Sequence, residues 1–299
     1  MTLLQLRYAI TVADSRSMNQ AAQKLFISQP SLSAAIRELE DEVGIEIFRR
    51  TNRGIQVTPD GEEFIGYARQ VVEQYALIKA RYVDKEKVKK KFGVSMQHYS
   101  FAVQAFVEMV KRFGMDRYEF SIYETQTYDV IENVKNFRCE LGILYLNDFN
   151  RKVLEKIFEE NNLEFHELFD CQEYVYLWSG HPLAKKNEIT LEDLEDYPFL
   201  SFDQGSNNSF YFAEEVFSTY EYKQSIKAND RATMLNLMKG LNGYTLCSGI
   251  ICENLNGSEY CAVKLSTEET MTIGYLKRKG IPLSSIGKEY LKEISKYNN

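Results

Sequence analysis

The fold is decided by residues 17–40, which read SMNQAAQKLFISQPSLSAAIRELE. Behind Asn19, the expected N-cap of a first helix, two alanines and a leucine recur at helical spacing. After a short turn at residues 26–27, a second helix is expected to begin at Ser28, with Pro30 in its first turn, where a missing N–H costs nothing. This pattern predicts a helix-turn-helix. The alternative is an ordinary helical hairpin with a polar outer face.

The second helix has an apolar face and a polar face. Leu32, Ile36 and Leu39 form the apolar stripe. The polar face carries short donors and acceptors suited to base edges, together with one guanidinium suited to guanine or phosphate. We therefore expect this helix to enter the major groove of DNA. The predicted DNA-binding residues of the two helices are Asn19, Ser28, Gln29, Pro30, Ser31, Ser33 and Arg37.

A hairpin is expected next, in residues 43–61, which read VGIEIFRRTNRGIQVTPDG. Gly44 is expected to end the second helix. Two short strands are predicted at 47–49 and 55–57, with a turn at 52–54, where a glycine can take a positive φ. Such a wing carries Arg50 and Arg53, which we expect to contact the phosphate backbone or the minor groove.

Charge in this region is unevenly distributed. Residues 1–67 contain nine acidic and seven basic side chains, an unusual balance for a DNA-binding domain. The arginines nevertheless cluster on the predicted recognition face and wing. We therefore expect weak non-specific binding by a monomer and a need for dimers or tetramers.

A long helix is expected to follow, capped by Thr58 with Pro59 at its first position. Its apolar residues recur in a heptad seam, formed by Phe64, Ala68, Val71, Tyr75 and Ile78. A stripe this wide needs a partner, which favours a helix–helix dimer. The alternative is packing on the helix's own winged-helix domain. Residues 79–91, with seven basic and two acidic side chains, are expected to form the solvated helix end and hinge, and a contact with the DNA backbone is the alternative.

From residue 91 onward, strands and helices are expected to alternate, as in a parallel sheet. The first set has predicted strands at 92–94, 118–123 and 140–145, with helices at 99–113 and 127–137. The second set has a strand at 174–178, a helix near 210–218, a strand at 225–228, a helix at 231–239 and a strand at 244–247. A strand at 271–276 and a terminal helix at 284–296 complete the chain.

Together these features resemble the LysR-type transcriptional regulators of bacteria. Residues 4–75 resemble the family's winged helix-turn-helix domain through Ala21-Ala22, Leu25, 28–33, Ile36, Leu39-Glu40, Gly44, 48–50 and 58–61. The later part resembles the family more loosely, through HPLA at 181–184 and LEDL at 191–194 before YPFL at 197–200. The resemblance implies a mainly α winged helix-turn-helix, a long linker helix and an α/β effector domain of two subdomains similar to periplasmic binding proteins.

The resemblance also implies an organisation and a function. The winged helix-turn-helix would span 1–58 and the linker and hinge 59–90. Effector subdomain I would span 91–168 and 268–299, and subdomain II 169–267, joined by two crossing strands. The implied function is a sequence-specific DNA-binding regulator, not an enzyme, that forms homodimers or homotetramers and contacts RNA polymerase.

A ligand in such a fold lies between the subdomains, at the carboxyl ends of strands and at helix N-termini. Four loops are expected to meet there, at 95–100, 124–127, 201–204 and 229–233. Their hydroxyls, amides and backbone N–H groups suit a small anion such as a carboxylate, and Arg231 adds a cation. For each residue the alternative role is helix capping. The predicted ligand-binding residues are Gln97, His98, Tyr99, Ser100, Thr125, Ser201, Phe202, Asp203, Arg231 and Thr233.

Other classes of function find little support among the 299 residues. The three histidines are far apart in sequence, and no nucleophile accompanies His98, so neither a metal nor a cofactor is expected. Five scattered cysteines predict reduced thiols in the cytoplasm, and redox sensing by Cys247 and Cys252 is the alternative. The sequence shows no secretion signal or long apolar stretch, which predicts a protein outside the membrane. The remaining alternative is a cytoplasmic small-molecule-binding α/β protein or enzyme with a helical N-terminal appendage.

Overall fold

The structure, a computed structural model, describes residues 1–51, 54–83, 89–113 and 117–298. The chain divides into two compact units, Met1–Lys90 and Lys91–Asn299. The helices of the first unit are α1 (Leu3–Ser15), α2 (Met18–Leu25), α3 (Gln29–Val43) and α4 (Pro59–Tyr82). Its strands β1 (Phe48–Thr51) and β2 (Gly54–Val57) pair in an antiparallel hairpin.

The helix-turn-helix is confirmed, with one correction at its start. The side chain of Ser17 caps α2 by accepting from the N–H of Gln20 at 3.4 Å, so the prediction that Asn19 is the cap is wrong. Serine and asparagine are equally good caps, and Asn19 lies in the first turn instead. Ser28 caps α3 as predicted, accepting from the N–H of Ser31 at 3.2 Å.

The first unit is held together by a compact apolar core. The buried side chains include Ala9, Val12, Ala21, Leu32, Ile36, Leu39 and Ile47. The predicted apolar stripe of α3 is therefore buried, and Gly44 ends the helix with a φ of 74°. Such a backbone conformation favours glycine because it lacks a Cβ.

The wing, formed by β1 and β2, is anchored to α3 by a side chain. Glu40 Oε1 accepts from the N–H of Ile47 at 2.8 Å and from the N–H of Phe48 at 2.9 Å. The predicted turn at 52–54 lies outside the described residues, except for Gly54, which begins β2. Arg53 therefore lies outside them too, as does the side chain of Arg50, whose backbone belongs to β1.

The predicted heptad seam of α4 has two halves with different surroundings. Phe64 and Ala68 pack into the core of the first unit, as the alternative interpretation proposed, and α4 lies against α1. Val71, Tyr75 and Ile78 are exposed. The second half of the seam therefore forms an apolar stripe on the surface of α4.

The second unit contains both helices and strands, as predicted, but the predicted parallel sheet is only partly correct, since the larger sheets also contain antiparallel strand pairs. Its helices are α5 (Ser100–Lys111), α6 (Thr127–Lys135), α7 (Arg151–Glu160), α8 (Arg231–Leu241), α9 (Glu253–Asn256) and α10 (Ser285–Ile294). Its strands are β3 (Lys90–Met96), β4 (Tyr118–Glu124), β5 (Leu141–Leu146), β6 (Leu163–Gln172), β7 (Tyr174–Trp178), β8 (Glu188–Ile189), β9 (Phe199–Phe202), β10 (Ser225–Ala228), β11 (Thr245–Cys247), β12 (Tyr260–Leu265) and β13 (Thr270–Arg278).

These strands form two larger sheets and a parallel pair. The five-stranded sheet has the order β4-β3-β5-β13-β6, and the four-stranded sheet has the order β11-β7-β12-β8. Strands β9 and β10 pair in parallel. The chain passes from the first sheet to the second between β6 and β7 and returns between β12 and β13. The exact subdomain limits remain a prediction.

Several elements of this unit differ from the sequence-based expectation. The helix near 210–218 was predicted wrongly, since only a short 3-10 turn forms at Phe210–Phe212. Beyond it, the Glu214 side chain accepts a hydrogen bond from the N–H of His98, 116 residues earlier, and no local sequence pattern indicates such a contact. Helix α7 and strands β6 and β12 were not predicted. Within the described ranges, none of the helices has the length and apolar character required to cross a membrane.

Candidate functional site

The N-terminal half of α3 presents an ordered polar surface. The Gln29 amide Nε2 donates to Ser33 Oγ at 2.7 Å, and the Oγ atoms of Ser28 and Ser31 lie 2.7 Å apart. These contacts fix the side chains before any ligand binds, and they leave further donor and acceptor positions on each group. The surface is therefore suited to hydrogen bonding with base edges.

Most of the predicted DNA-binding residues are at least partly exposed. Asn19, Ser28, Pro30, Ser31 and Arg37 are exposed, and Gln29 and Ser33 are partly buried. Sequence reasoning treated Phe26 only as a turn residue. It is 95% exposed and has a φ of 55° at the end of α2. Its aromatic ring is therefore a large exposed apolar group in the turn between α2 and α3.

The second unit contains a cavity of about 70 Å³ with walls from both larger sheets. Five of the ten predicted ligand-binding residues line it, namely His98, Tyr99, Ser100, Phe202 and Arg231. The other five, Gln97, Thr125, Ser201, Asp203 and Thr233, do not line it. The cavity lies where α5 begins, beside α8 and β11.

Residues predicted to bind ligand but absent from the wall have structural contacts. The Gln97 amide donates to Thr127 Oγ1 at 2.6 Å and accepts from the N–H of Tyr145 at 3.1 Å. The N–H of Thr233 donates to Asp230 at 2.8 Å, and the Thr233 hydroxyl donates to the same carboxylate, which is the helix-capping role named as the alternative. Thr125 Oγ1 donates to Asp129 at 3.2 Å.

Two side chains from residues 203–215 bind the starts of α5 and α6. Glu214 Oε2 accepts from the N–H of His98 at 2.8 Å and lies 2.9 Å from Nδ1 of its ring. Gln204 Oε1 accepts from the N–H of Thr127 at 3.0 Å, and Gln204 Nε2 donates to Glu214 at 3.0 Å. Donor groups that the sequence assigned to an anionic ligand are therefore already bound by the chain's own carboxylate and amide.

His98 is also fixed by its ring. The imidazole stacks on Phe202, with ring centroids 3.7 Å apart and planes 4° apart. With the Glu214 contact, this stacking holds the ring in one orientation at the edge of the cavity. His98 thus connects the start of α5 to β9 through Phe202, and to the segment after β9 through Glu214.

Glu215 is a wall residue that sequence reasoning missed. It is 4% exposed, and its Oε1 accepts from the N–H of Phe202 at 2.9 Å. Burial and, next, the charge of Glu214 raise the pKa of this carboxyl group well above its usual range. Arg231, the cation predicted for an anionic ligand, forms an ion pair with Glu124.

The remaining wall is mainly apolar, with one unusual hydroxyl. Met234 and Met238 of α8 and Leu246 of β11 contribute apolar surface. Thr245 Oγ1 is buried and has no hydrogen-bond partner among the residues that the structure describes. Those residues also contain no group of three or more His, Cys, Asp or Glu side chains able to hold a metal ion.

Each of the two units contains a match to a known protein family model. Residues 3–62 match the model of the bacterial regulatory helix-turn-helix protein, lysR family, and residues 98–286 match the LysR substrate binding domain. The chain belongs to the LysR family. It is therefore a DNA-binding transcriptional regulator with an effector-binding domain, and not an enzyme. The predicted winged helix-turn-helix and α/β effector domain are confirmed.

Individual relatives cover nearly all of this LysR-family chain at low identity. It is 28% identical over 257 residues to the Hca operon transcriptional activator HcaR of Escherichia coli (strain K12), covering 83% of this chain and 82% of that protein. It is 25% identical over 291 residues to the hydrogen peroxide-inducible genes activator of Haemophilus influenzae, covering 95% and 92%. A full-length OxyR structure from Pseudomonas aeruginosa, 21% identical, superposes with a TM-score of 0.66 and covers 98% and 94% of the two chains, which shows the shared fold.

Proposed function

We propose that α3 reads an operator sequence and that a small molecule bound in the cavity controls this binding. The observation that carries the proposal is the composition of the cavity wall, which combines the start of α5 with residues of α8 and β11. A ligand there contacts elements associated with both larger sheets. It therefore favours whichever arrangement of the sheets it fits best. We retain 91–168 with 268–299, and 169–267, as the proposed limits of the two effector subdomains.

The proposed DNA contacts follow the polar surface of α3. Gln29, Ser31 and Ser33 are assigned to base edges, and Arg37 to guanine or phosphate. Arg50 and Arg53 are assigned to the backbone, which positions a protein on DNA without reading sequence. Asn19, Ser28 and Pro30 complete the proposed contact surface.

Binding to the DNA upstream of the chain's own gene tests this assignment. Ser31→Glu should weaken specific binding at least about tenfold, because a carboxylate meets phosphates and base acceptors, whereas Ser206→Glu, an exposed control in the second unit, should not. Arg53→Ala should weaken binding to all sequences alike and lower the salt slope by about one. Equal affinity of Ser31→Glu and wild type for the operator contradicts the assignment.

The sequence predicts an anionic effector such as a carboxylate. The start of α5 at Ser100 supports this class, since helix N-termini favour negative charge. Two other features oppose it, because Glu214 binds His98 and Glu124 pairs with Arg231. A thermal-shift screen of metabolites identifies the class directly, because a ligand that binds only the folded state raises its stability.

The exposed half of the α4 seam supports a homodimer. Val71, Tyr75 and Ile78 present apolar groups at helical spacing, as a helix–helix partner requires. We propose that a second pair of contacts between effector domains joins two dimers into a homotetramer. Contact with RNA polymerase and a location in the cytoplasm are proposed from the role in transcription.

Redox sensing by cysteine has no support from the geometry, although one relative is named a hydrogen peroxide-inducible genes activator. Burial raises the pKa of the Cys247 thiol to about 12 and raises that of Cys252. The reactive form of cysteine is the thiolate, so neither thiol is activated near neutral pH. Ligand binding therefore remains the proposed mode of control.

A further inference from the structure

We propose that residues 203–214, the latch segment, hold β9 and β10 against the five-stranded sheet, and that release of this segment as one unit is coupled to DNA binding. The inference rests on the proposed function, in which the arrangement of the sheets controls binding to the operator. It identifies the part of the chain that moves and the contacts that resist the movement.

The two ends of the latch segment are tied together. Gln204 Nε2 donates to Glu214 Oε1 at 3.0 Å. Glu215, directly after the segment, accepts from the N–H of Phe202, directly before it, at 2.9 Å. Compact surface loops whose ends are close together, known as Ω-loops, are packed by their own side chains. Because the ends cannot separate without breaking these hydrogen bonds, we expect the segment to move as one unit.

The ends of the latch segment also bind the chain that follows β3 and β4. Glu214 Oε2 accepts from the N–H of His98 at 2.8 Å and lies 2.9 Å from Nδ1 of its ring. Gln204 Oε1 accepts from the N–H of Thr127 at 3.0 Å. Glu214 is 7% exposed and Gln204 is 5% exposed, so both contacts lie in a low-dielectric environment, where hydrogen bonds are stronger than in water. Release of the latch segment therefore breaks two strong contacts.

The later part of the latch segment binds the chain around the end of β5. The ring of Tyr211 stacks on Phe149, with centroids 4.9 Å apart and planes 20° apart. The Tyr145 hydroxyl donates to the carbonyl oxygen of Ala213 at 3.1 Å. With the contacts to His98 and Thr127, the segment thus binds the chain beyond three neighbouring strands of the five-stranded sheet, which is where a ligand lies in folds of this kind.

Part of the latch segment belongs to the wall of the cavity. Glu214 lines the cavity together with His98, the residue that it binds. A ligand in the cavity therefore lies against a contact that keeps the segment closed, and a ligand that fits the closed or the released state better shifts the balance towards that state. Ligand and DNA then act on the same equilibrium.

Hydrogen exchange followed by mass spectrometry, on the full-length chain without ligand, tests whether the latch segment releases as one unit. Tyr211→Ala removes one stacked ring, and peptides that contain the amides of His98 and Thr127 report on the ends of the segment. Both amides should exchange at least about threefold faster than in wild type, because loss of the ring contact makes release less costly. Phe149→Ala should do the same, and the double variant should add little, since each change removes the same contact.

Phe210→Ala is the matched control. Phe210 lies in the same 3-10 turn as Tyr211 and is 59% exposed. Its removal leaves the stack of Tyr211 on Phe149 in place, so exchange at His98 and Thr127 should equal that of wild type. In wild type, these two amides should exchange faster than the amides of β5, because release of the segment breaks fewer contacts than unfolding of the core.

The coupling to DNA is measured on wild type by adding a saturating amount of the operator, the DNA upstream of the chain's own gene. If the closed and released states differ in DNA affinity, DNA must change the release equilibrium by the same factor, however small the released population is. We expect operator DNA to change exchange at His98 and Thr127 at least about threefold, and an unrelated duplex at the same concentration to leave it unchanged.

Three outcomes overturn the inference: wild-type exchange at both amides in Tyr211→Ala and in Phe149→Ala, exchange in wild type at the rate of β5, or exchange that operator DNA does not change. Each of them leaves the operator titration of wild type and Ser31→Glu intact, so DNA recognition by α3 is judged separately. Conversely, failure of that titration overturns the proposed function, whereas the ring variants still show whether the latch segment releases as one unit.

Discussion

Glu173 is a buried acid in the connection between β6 and β7. It is 1% exposed, and neither carboxyl oxygen has a partner in the described ranges. Burial, followed by the charge of Glu269, raises its pKa well above the usual range. Folding therefore favours the protonated form of this group, at a point where the chain crosses between the two larger sheets.

This burial predicts a pH-dependent loss of stability. In the unfolded chain the carboxyl group ionises above about pH 4.3, whereas in the folded chain it stays protonated, so stability falls as pH rises from that value towards the folded pKa. Glu173→Gln has no ionisable side chain at this position, so it removes this pH-dependent contribution to stability. Its free energy of unfolding should exceed that of wild type by at least about 1 kcal/mol at pH 8 and match it near pH 4.

Denaturant unfolding at several pH values measures the difference, with Glu221→Gln as an exposed control. A difference between Glu173→Gln and wild type that does not change with pH contradicts the account of Glu173. A larger difference at pH 4 than at pH 8 reverses the sign and contradicts it as well.

At the scale of elements, Glu40 couples the recognition helix to the wing. Its carboxylate accepts from the backbone N–H groups of Ile47 and Phe48. Glu40→Ala leaves both donors without this acceptor and should lower the free energy of unfolding by about 1–3 kcal/mol. Glu40→Gln retains an oxygen acceptor, so its free energy of unfolding should fall by less than that of Glu40→Ala. Chemical denaturation compares the three proteins, and equal stability of Glu40→Ala and wild type contradicts the coupling.

Elements defined by local chemistry could be predicted from the sequence. Ser28 and Thr58 are strong caps followed by proline, and both begin helices as expected. Ser17 and Asn19 are equally good caps two residues apart, so local composition could not choose between them. The segment at 210–218 could not be assigned because its conformation depends on a contact between Glu214 and His98, 116 residues away.

The candidate ligand site was predictable in part, for a physical reason. The rule that ligands lie beyond the carboxyl ends of strands correctly places His98, Ser100 and Arg231 on the wall of the cavity. Glu215 and Thr245 could not be found in this way. Their positions depend on tertiary hydrogen bonds and on the register of β11 against β7, which a single sequence does not reveal.

At the scale of the whole molecule, the proposed dimer depends on the exposed stripe of α4. Val71→Glu places a charge in the stripe and should split the proposed dimer, because burying an unpaired carboxylate is unfavourable. The control variant Ala76→Glu changes an exposed position outside the seam and should leave the dimer intact. Size-exclusion chromatography with light scattering gives the masses. A mass unchanged by Val71→Glu removes the stripe from the interface.

Regulation requires that ligand and DNA affect each other's binding. By thermodynamic linkage, the factor by which the ligand changes the affinity for DNA equals the factor by which DNA changes the affinity for the ligand. Met234 lies on the cavity wall in α8, so Met234→Trp fills the cavity and leaves the polar surface of α3 unaltered. This variant separates ligand binding from DNA recognition.

The most direct test is a fluorescence-anisotropy titration of operator DNA with the full-length chain, with and without the ligand selected by thermal shift. For wild type, we predict that the ligand changes the Kd for DNA at least about fivefold. For Met234→Trp, we predict the same Kd as ligand-free wild type and no response to the ligand. A ligand that raises the thermal midpoint of wild type yet leaves its Kd for DNA unchanged would contradict control of DNA binding through the cavity.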